Sequence, residues 1–291
     1  MTTRDEPHVT AIGQIANQVL WRSPSGLVTG KTSHGIYLQP SGDLTLYLTW
    51  EPFRSPLTVN IRGKSHLLAA IQIGELIELV DNRLKCIGTQ QVILFQKPLI
   101  WRAPSPPRLK PRSPDSFARI IHQVQESYPG HPYLPLLDMV RTGEPFPIQN
   151  LPGLENQILQ LSRSLQENSP PGIIAAMKGI MGAGPGLTPL GDDILLGTLL
   201  AVNRSGRHTN WPGDLIHFYH TLIQAAEEET TRLSWSLLSC ATQGAGDERI
   251  IRVLDDLIAA REIPDHDLDS LLNWGSSSGI AVLAGIMMAL F

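Results

Sequence analysis

Between Gly179 and Asp193 the chain reads Gly-Ile-Met-Gly-Ala-Gly-Pro-Gly-Leu-Thr-Pro-Leu-Gly-Asp-Asp, with five glycines, two prolines, one threonine and two adjacent carboxylates, ahead of the apolar run Ile194 to Val202. Such a stretch is a loop aimed at a helix start. Gly184 and Gly186 can take positive φ and leave their N–H groups open to a ligand lying close to the main chain. Pro185 and Pro189 stiffen the path. Thr188, Gly191 or Asp192 could cap the helix that follows, whose unpaired N–H groups and positive dipole end suit a phosphate, a carboxylate or an oxyanion. Asp192 and Asp193 would repel that anion unless a cation or a proton intervenes. As helix neighbours they point about 100° apart, so at most one of them faces a pocket. The plainer alternative is a capping loop that holds no ligand.

Two further segments could complete such a pocket. Glu227-Glu-Glu-Thr-Thr-Arg-Leu-Ser234, read as one helix, puts Glu227, Thr231 and Ser234 on one face and lets Arg232 reach an anion. Its bland reading is a solvated face with a Glu228–Arg232 pair. Ser276-Ser-Ser-Gly279 reads as a second helix start, offering Ser277, Ser278 and Gly279. If it faces Gly184, two helix ends converge on one anion. Asp214, His217 and His220 stand at i, i+3 and i+6 without a further cluster, so no metal ligand is assigned. The glycine loop follows no strand and lacks a Gly-Lys-Ser/Thr ending, which disfavours P-loop ATP binding, and no Gly-x-Ser-x-Gly elbow is present.

Three motifs follow one another in order: Gly182-x-Gly-Pro-Gly-Leu-Thr-Pro-x-Gly-Asp-Asp193-x-Leu-x-Gly197, then Thr230-Thr-Arg-Leu-Ser234 with its apolar continuation to Gly244, then Gly275-Ser-Ser-Ser-Gly279 with Leu283 and Gly285. Together they resemble a bacterial family catalogued as a domain of unknown function, one branch of which is a subunit of the oxamate carbamoyltransferase of allantoin degradation. The resemblance implies a subunit of a carbamoyltransferase-like enzyme, moving a carbamoyl group between an oxamate- or oxalurate-type amide and phosphate. Its partners would be a small anionic metabolite and other carbamoyltransferase subunits, or further copies of this chain. Such a transfer needs fixed donors for an oxyanion and for bound anions. On this reading Asp192, Asp193, Thr231 and Ser234 are the expected catalytic residues. Gly184, Gly186, Thr188, Gly191, Arg232, Ser277, Ser278 and Gly279 are the expected anion or substrate contacts. No cofactor is specified; Mg²⁺ is the one candidate. The chain departs from the relatives at Ser276, where they tend to carry His, and at Ala281, where they tend to carry Asp. That removes groups suited to acid–base or metal work. The alternative is a non-catalytic subunit that binds a small anion or metabolite, or serves assembly.

With 291 residues, 42% hydrophobic and 17% charged, the chain reads as an ordinary globular protein able to hold two modest domains. Charge is uneven: residues 1–112 carry a net +6 and residues 113–291 a net −10. The Lys and Arg residues of the basic part are scattered, so no nucleic-acid face is expected. Cys86 and Cys240 lack metal or redox spacing and read as small buried hydrophobes in a reducing compartment. No leader pattern opens the chain and no apolar run reaches membrane length, so no membrane contact is expected and the cytoplasm is the default.

The expected fold class is α+β. A small antiparallel β-domain, barrel-like and spanning 1–97, precedes a Pro-rich basic linker (98–114) and a mainly α-helical domain (115–291) that carries the glycine loop. In the first part, Val9 to Leu20 shows near-helical spacing, weakened by Gly13. Six short β-favouring segments follow, from Gly35 to Phe95, with hairpin turns expected at Pro40–Asp43 and Asp81–Arg83. The six prolines of the linker argue against regular structure there. Beyond it helix follows helix, with an apolar stripe at Leu154, Ile158, Leu161 and Leu165 and one long, breakable helix from Asp214 to Cys240.

Overall fold

The computed structural model describes residues 6–63, 66–111, 114–148, 150–206, 214–275 and 277–291. The chain divides into two compact units, 1–104 with 245–248, and 105–244 with 249–291.

The first unit contains β1 (His8–Gly13), α1 (Gln14–Arg22), β2 (Ser25–Lys31), β3 (Gly35–Pro40), β4 (Leu46–Thr49), β5 (Thr58–Arg62), the short α2 (His66–Ala70), β6 (Leu76–Val80), β7 (Arg83–Cys86), β8 (Val92–Leu94) and β9 (Leu99–Trp101). The strands run in the order β5-β4-β3-β2-β6-β7-β8-β1, and β1 closes the ring by pairing with β5. The result is a barrel filled by Ile36, Leu38, Leu46, Leu48, Val59, Ile77, Leu84 and Ile93, all buried. Alternating apolar residues on short strands specify this inward face.

Three local expectations change. The β4–β5 and β1–β8 pairs are parallel, while the other ring pairs are antiparallel. Residues 50–57, with Pro52 and Pro56, carry the chain over to β5 without a hairpin turn. The opening near-helical run is split, because Val9, Thr10 and Ile12 suit a strand and Gly13 is the switch point. There an added Cβ would lie 2.2 Å from the Ser55 carbonyl oxygen. Within the Pro-rich stretch, Leu99–Trp101 forms a strand beside β1. Its flanking prolines, 98 and 104, fall outside the paired residues, so the ladder loses no donor. The Asp81-Asn82 turn is as expected, with φ of 53° and 55°, the pair of positive values that a two-residue hairpin needs.

The second unit contains α3 (Pro114–Ser127), α4 (Leu134–Thr142), α5 (Leu154–Gln166), α6 (Pro170–Ile180), α7 (Leu190–Arg204), α8 (Leu215–Glu229), α9 (Arg232–Ala241), α10 (Glu248–Ile258), α11 (Asp265–Leu272) and α12 (Ser278–Leu290). Among its described residues no strand occurs. Its centre is the pair α7 and α12, buried almost along their whole lengths. Helix α12 and the middle of α7, from Ile194 to Val202, are apolar on nearly all sides, as a central helix must be. Gly197 and Gly285 let their backbones touch: a Cβ on Gly197 would lie 2.1 Å from the Val282 carbonyl oxygen, and one on Gly285 2.1 Å from that of Ile194. Thr198 joins the two by donating to Ile194 O (2.9 Å) and Gly285 O (3.2 Å). Ser278, at the start of α12, lies at Thr188, just ahead of α7, while Gly197 in mid-helix meets Val282 and Ile286, so α7 and α12 run in the same direction and begin at the same end.

Candidate functional site

That shared end is where the glycine loop lies. Ile180 closes α6, the loop runs to Pro189, and Leu190 begins α7. Three glycines make the path possible. Gly182, Gly184 and Gly186 have φ of 68°, 115° and 109°, values that a side chain would strain. Gly191 has a different reason: its Cβ would fall 1.7 Å from the Ile180 carbonyl oxygen, so only glycine lets the loop fold back on the helix it leaves. The N-cap position belongs to Pro189, with no side-chain cap, rather than to Thr188, Gly191 or Asp192.

The backbone donors are divided between structure and solvent. Gly182 N–H goes to Asp192, Ala183 N–H to Ile180 O (3.1 Å) and Gly191 N–H to Ala183 O (2.9 Å). Pro189 O accepts from both Asp192 N–H and Asp193 N–H, at 3.0 and 3.1 Å. Gly191 and the first α7 amides are therefore already committed. Among the described residues, the N–H groups of Gly184, Gly186, Leu187 and Thr188 make no hydrogen bond. Pro185 to Leu187 form the exposed tip, flanked by half-buried Gly184 and Thr188. The open donors thus lie on the loop crest, one turn before the helix end.

The two carboxylates have separate surroundings. Asp192, 2% exposed, accepts from Gly182 N–H (2.8 Å) and from the Thr230 hydroxyl. Burial pushes its carboxyl up, opposed by the Gly182 amide and by the Thr230 and Ser234 hydroxyls. Asp193, 1% exposed, accepts from Thr188 Oγ1 at 3.4 Å, and Thr188 Oγ1 lies 3.3 Å from Ser278 Oγ. Desolvation pushes Asp193 up to about 8, with the Asp192 charge adding to it and the Ser278 and Thr188 hydroxyls opposing. Two helix N-termini also favour negative charge here, but such dipoles contribute about 0.3–2 kcal/mol, roughly one pKa unit, so burial dominates.

Helices α8 and α9 supply the third wall. The expected single helix breaks at Thr230-Thr231, which overturns the shared face of Glu227, Thr231 and Ser234. Thr230 and Thr231 are extended, and Thr231 becomes the N-cap of α9, accepting from Ser234 N–H at 3.1 Å. β-Branched hydroxyl residues favour that conformation. The Thr231 hydroxyl donates to Leu187 O at 2.6 Å, so the loop is fastened to this junction at two points, Asp192–Thr230 and Leu187–Thr231. Ser234 is 1% exposed and its hydroxyl has no hydrogen-bond partner, although it lies close enough to Asp192 to favour the ionised form. Arg232 pairs with Glu227 at 3.1 Å and sits 4.0 Å over the Trp235 ring.

The structure therefore gathers Gly184, Gly186, Thr188, Asp192, Asp193, Thr231, Ser234 and Ser278. Ser277 is the N-cap of α12, without a side-chain cap bond. Gly279 is buried where a Cβ would meet Leu271 O at 2.1 Å, so it serves helix packing. Ser276 lies outside the described residues. Asp214 caps α8 through Ile216 N–H and His217 N–H, and among the described residues no group of three His, Cys, Asp or Glu converges. Thr230, which opens the second motif, was not among the expected site residues; its signal was the Thr-Thr pair inside an otherwise helical run.

Residues 180–290 match the family described as oxamate carbamoyltransferase subunit AllH. The matched stretch runs from the last residue of α6 to the last of α12. It contains the loop, both carboxylates, the α8–α9 junction and the start of α12, and none of the β-barrel. No curated protein and no solved structure matches the chain. Among the described residues no helix is long and apolar enough to cross a membrane.

Proposed function

We propose that the chain is a subunit of a carbamoyltransferase of the oxamate type, acting in the breakdown of allantoin-derived ureides. In it the crest of the glycine loop binds the anionic part of a substrate. The observation that carries this reading is the coincidence of the family match with the site: the matched segment holds every residue that the loop, α7, α9 and α12 bring together. The open N–H groups of Gly184, Gly186, Leu187 and Thr188 suit phosphate or carboxylate oxygens, since successive amides around positive-φ glycines form an anion-binding concavity. Hydroxyls of Thr188 and Ser278 lie beside it, and two parallel helix ends add positive potential. Arg232, held by Glu227 and Trp235, stands at the start of α9 as a cation near the junction. Other carbamoyltransferase subunits would supply what this chain lacks.

The alternative, a subunit that binds a small anion without catalysis, has one observation in its favour. Ala281 is fully buried on α12, one turn beyond Ser278, and brings neither acid nor base.

Thermal shift against phosphate, carbamoyl phosphate, oxamate and oxalurate, with and without Mg²⁺, tests the binding. An anion at a hundredfold its dissociation constant should stabilise the protein by about 2.7 kcal/mol, and Gly186→Val should abolish the response. Carbamoyl transfer by the assembly with its partner subunits separates the two readings. Binding without turnover in that assembly favours the non-catalytic one, and no binding by any of these anions removes both.

A further inference from the structure

Asp192 and Asp193 are neighbours in sequence but do different work. Both oxygens of Asp192 are occupied, one by the Gly182 amide and one by the Thr230 hydroxyl, so it bolts the loop to the α8–α9 junction. Among the described residues Asp193 meets hydroxyls, those of Thr188 and Ser278, and Thr188 is itself half-buried at the root of the exposed crest. We propose that Asp193 supplies the proton of the transfer reaction, acting through the Thr188 hydroxyl at the mouth of the loop. This rests on the carbamoyl-transfer reading and gives that site its acid.

Among the described residues no neighbouring cation holds Asp193 ionised. Helix α12 has no ionisable side chain, the loop has none, and in α7 the other charges are Asp192 and the distant Arg204. From α6, Lys178 is exposed, and from α9, Arg232 is engaged with Glu227 and Trp235. Asp192 is the one charge that acts on Asp193 among the described residues, and it opposes ionisation. A carboxyl in such a place is a proton donor at neutral pH, the environment in which buried acids serve as general acids. The long 3.4 Å contact to Thr188 suits a hydrogen bond that tightens when substrate closes the site.

The step balances. In the phosphorolysis direction a phosphate oxygen bonds to the carbamoyl carbon and the carbon–nitrogen bond breaks. The leaving amide nitrogen takes the Thr188 hydroxyl proton while Thr188 takes that of Asp193. The proton lost by the attacking hydrogen phosphate returns along the same path. Net, one proton passes from phosphate oxygen to amide nitrogen, and Asp193 and Thr188 are restored.

Two measurements test this. The first is infrared difference spectroscopy of the whole chain, wild type minus Asp193→Asn. It should show a protonated carboxylic band at pH 6.5 that titrates away with a midpoint near 8. The second is the pH profile of carbamoyl transfer by the assembled complex. Wild-type turnover should fall above that midpoint. Asp193→Asn and Thr188→Val should each lose roughly 10²–10⁴-fold in kcat, Asp193→Asn should lose the alkaline limb, and Thr188→Ser should restore most of the rate. Thr188→Val should keep the infrared band, which a merely structural defect in the variant would not predict. Absence of the band at pH 6.5, or an Asp193→Asn complex with wild-type rate and pH profile, overturns the proposal and leaves the functional reading intact. A wild-type assembly that shows the band and transfers no carbamoyl group overturns both.

Discussion

Replacing Asp193 by Asn should make the helical unit more stable at neutral pH, although the residue lies at the heart of the candidate site. In the folded chain the carboxyl keeps its proton up to about pH 8, whereas the unfolded carboxyl releases it near 3.8. The folded state therefore holds more protons than the unfolded one throughout that window. Its contribution to stability is complete below about pH 4, declines as pH rises, and is fully lost once pH passes about 8. At about 1.4 kcal/mol per pH unit, the cost at pH 7 approaches ~4 kcal/mol. Asparagine has nearly the same shape and never ionises, so it escapes the penalty while its amide can still meet the Thr188 and Ser278 hydroxyls. Urea denaturation of both proteins at pH 4.5, 6, 7 and 8.5 measures the effect. The difference should be smallest at pH 4.5 and grow in favour of the variant to about pH 8. A wild type whose stability rises from pH 5 to 8 relative to the variant, or a pH-independent gap between them, would refute the assignment of a raised pKa. A gain in stability with a loss of turnover would mark a site held against the folding optimum.

Three other perturbations follow from the same framework. Arg204 donates to both oxygens of Asp255 (2.9 and 2.6 Å) and to Gly244 O (3.1 Å) inside the helical unit, so Asp255→Ala, which strands a buried guanidinium, should cost about 3–5 kcal/mol by denaturant midpoint. Gly197→Ala or Gly285→Ala forces α7 and α12 apart against backbone carbonyls. Each should cost at least ~1–3 kcal/mol and weaken anion-induced thermal shifts, because the loop and Ser278 are positioned by that contact. Thr231→Ala removes both the α9 cap and the hold on Leu187 O, and should lose about 1–2 kcal/mol, with faster hydrogen exchange confined to the loop and the first turn of α9. If exchange quickens uniformly across α9 and α12, the two-point fastening of the loop is wrong.

Much of this protein is fixed by its sequence alone. The clustered glycines and prolines announced a loop before a helix, and the uniformly apolar runs after Asp193 and Ser278 announced helices that must be buried. Short alternating strands with an Asp-Asn turn indicated a β-domain, and the lack of metal or redox spacing at Cys86 and Cys240 indicated buried thiols, as found. These features depend on steric freedom, periodicity and composition, which are local. Other features arise only when distant segments meet. The closure of the barrel, with β1 antiparallel to β5 and parallel to β8, depends on where β1 finds free edges, not on its own residues. The place of the break between α8 and α9 was hidden because Thr230 and Thr231 tolerate either conformation, and the loop carbonyl of Leu187 and the carboxylate of Asp192 decide between them. The contrast between Asp192 and Asp193 was equally unreadable in a two-letter repeat. A carboxyl group's proton affinity is set by what surrounds it, and only the tertiary fold brings the Gly182 amide and the Thr230 hydroxyl to Asp192 and leaves Asp193 beside Thr188 and Ser278, buried and holding its proton.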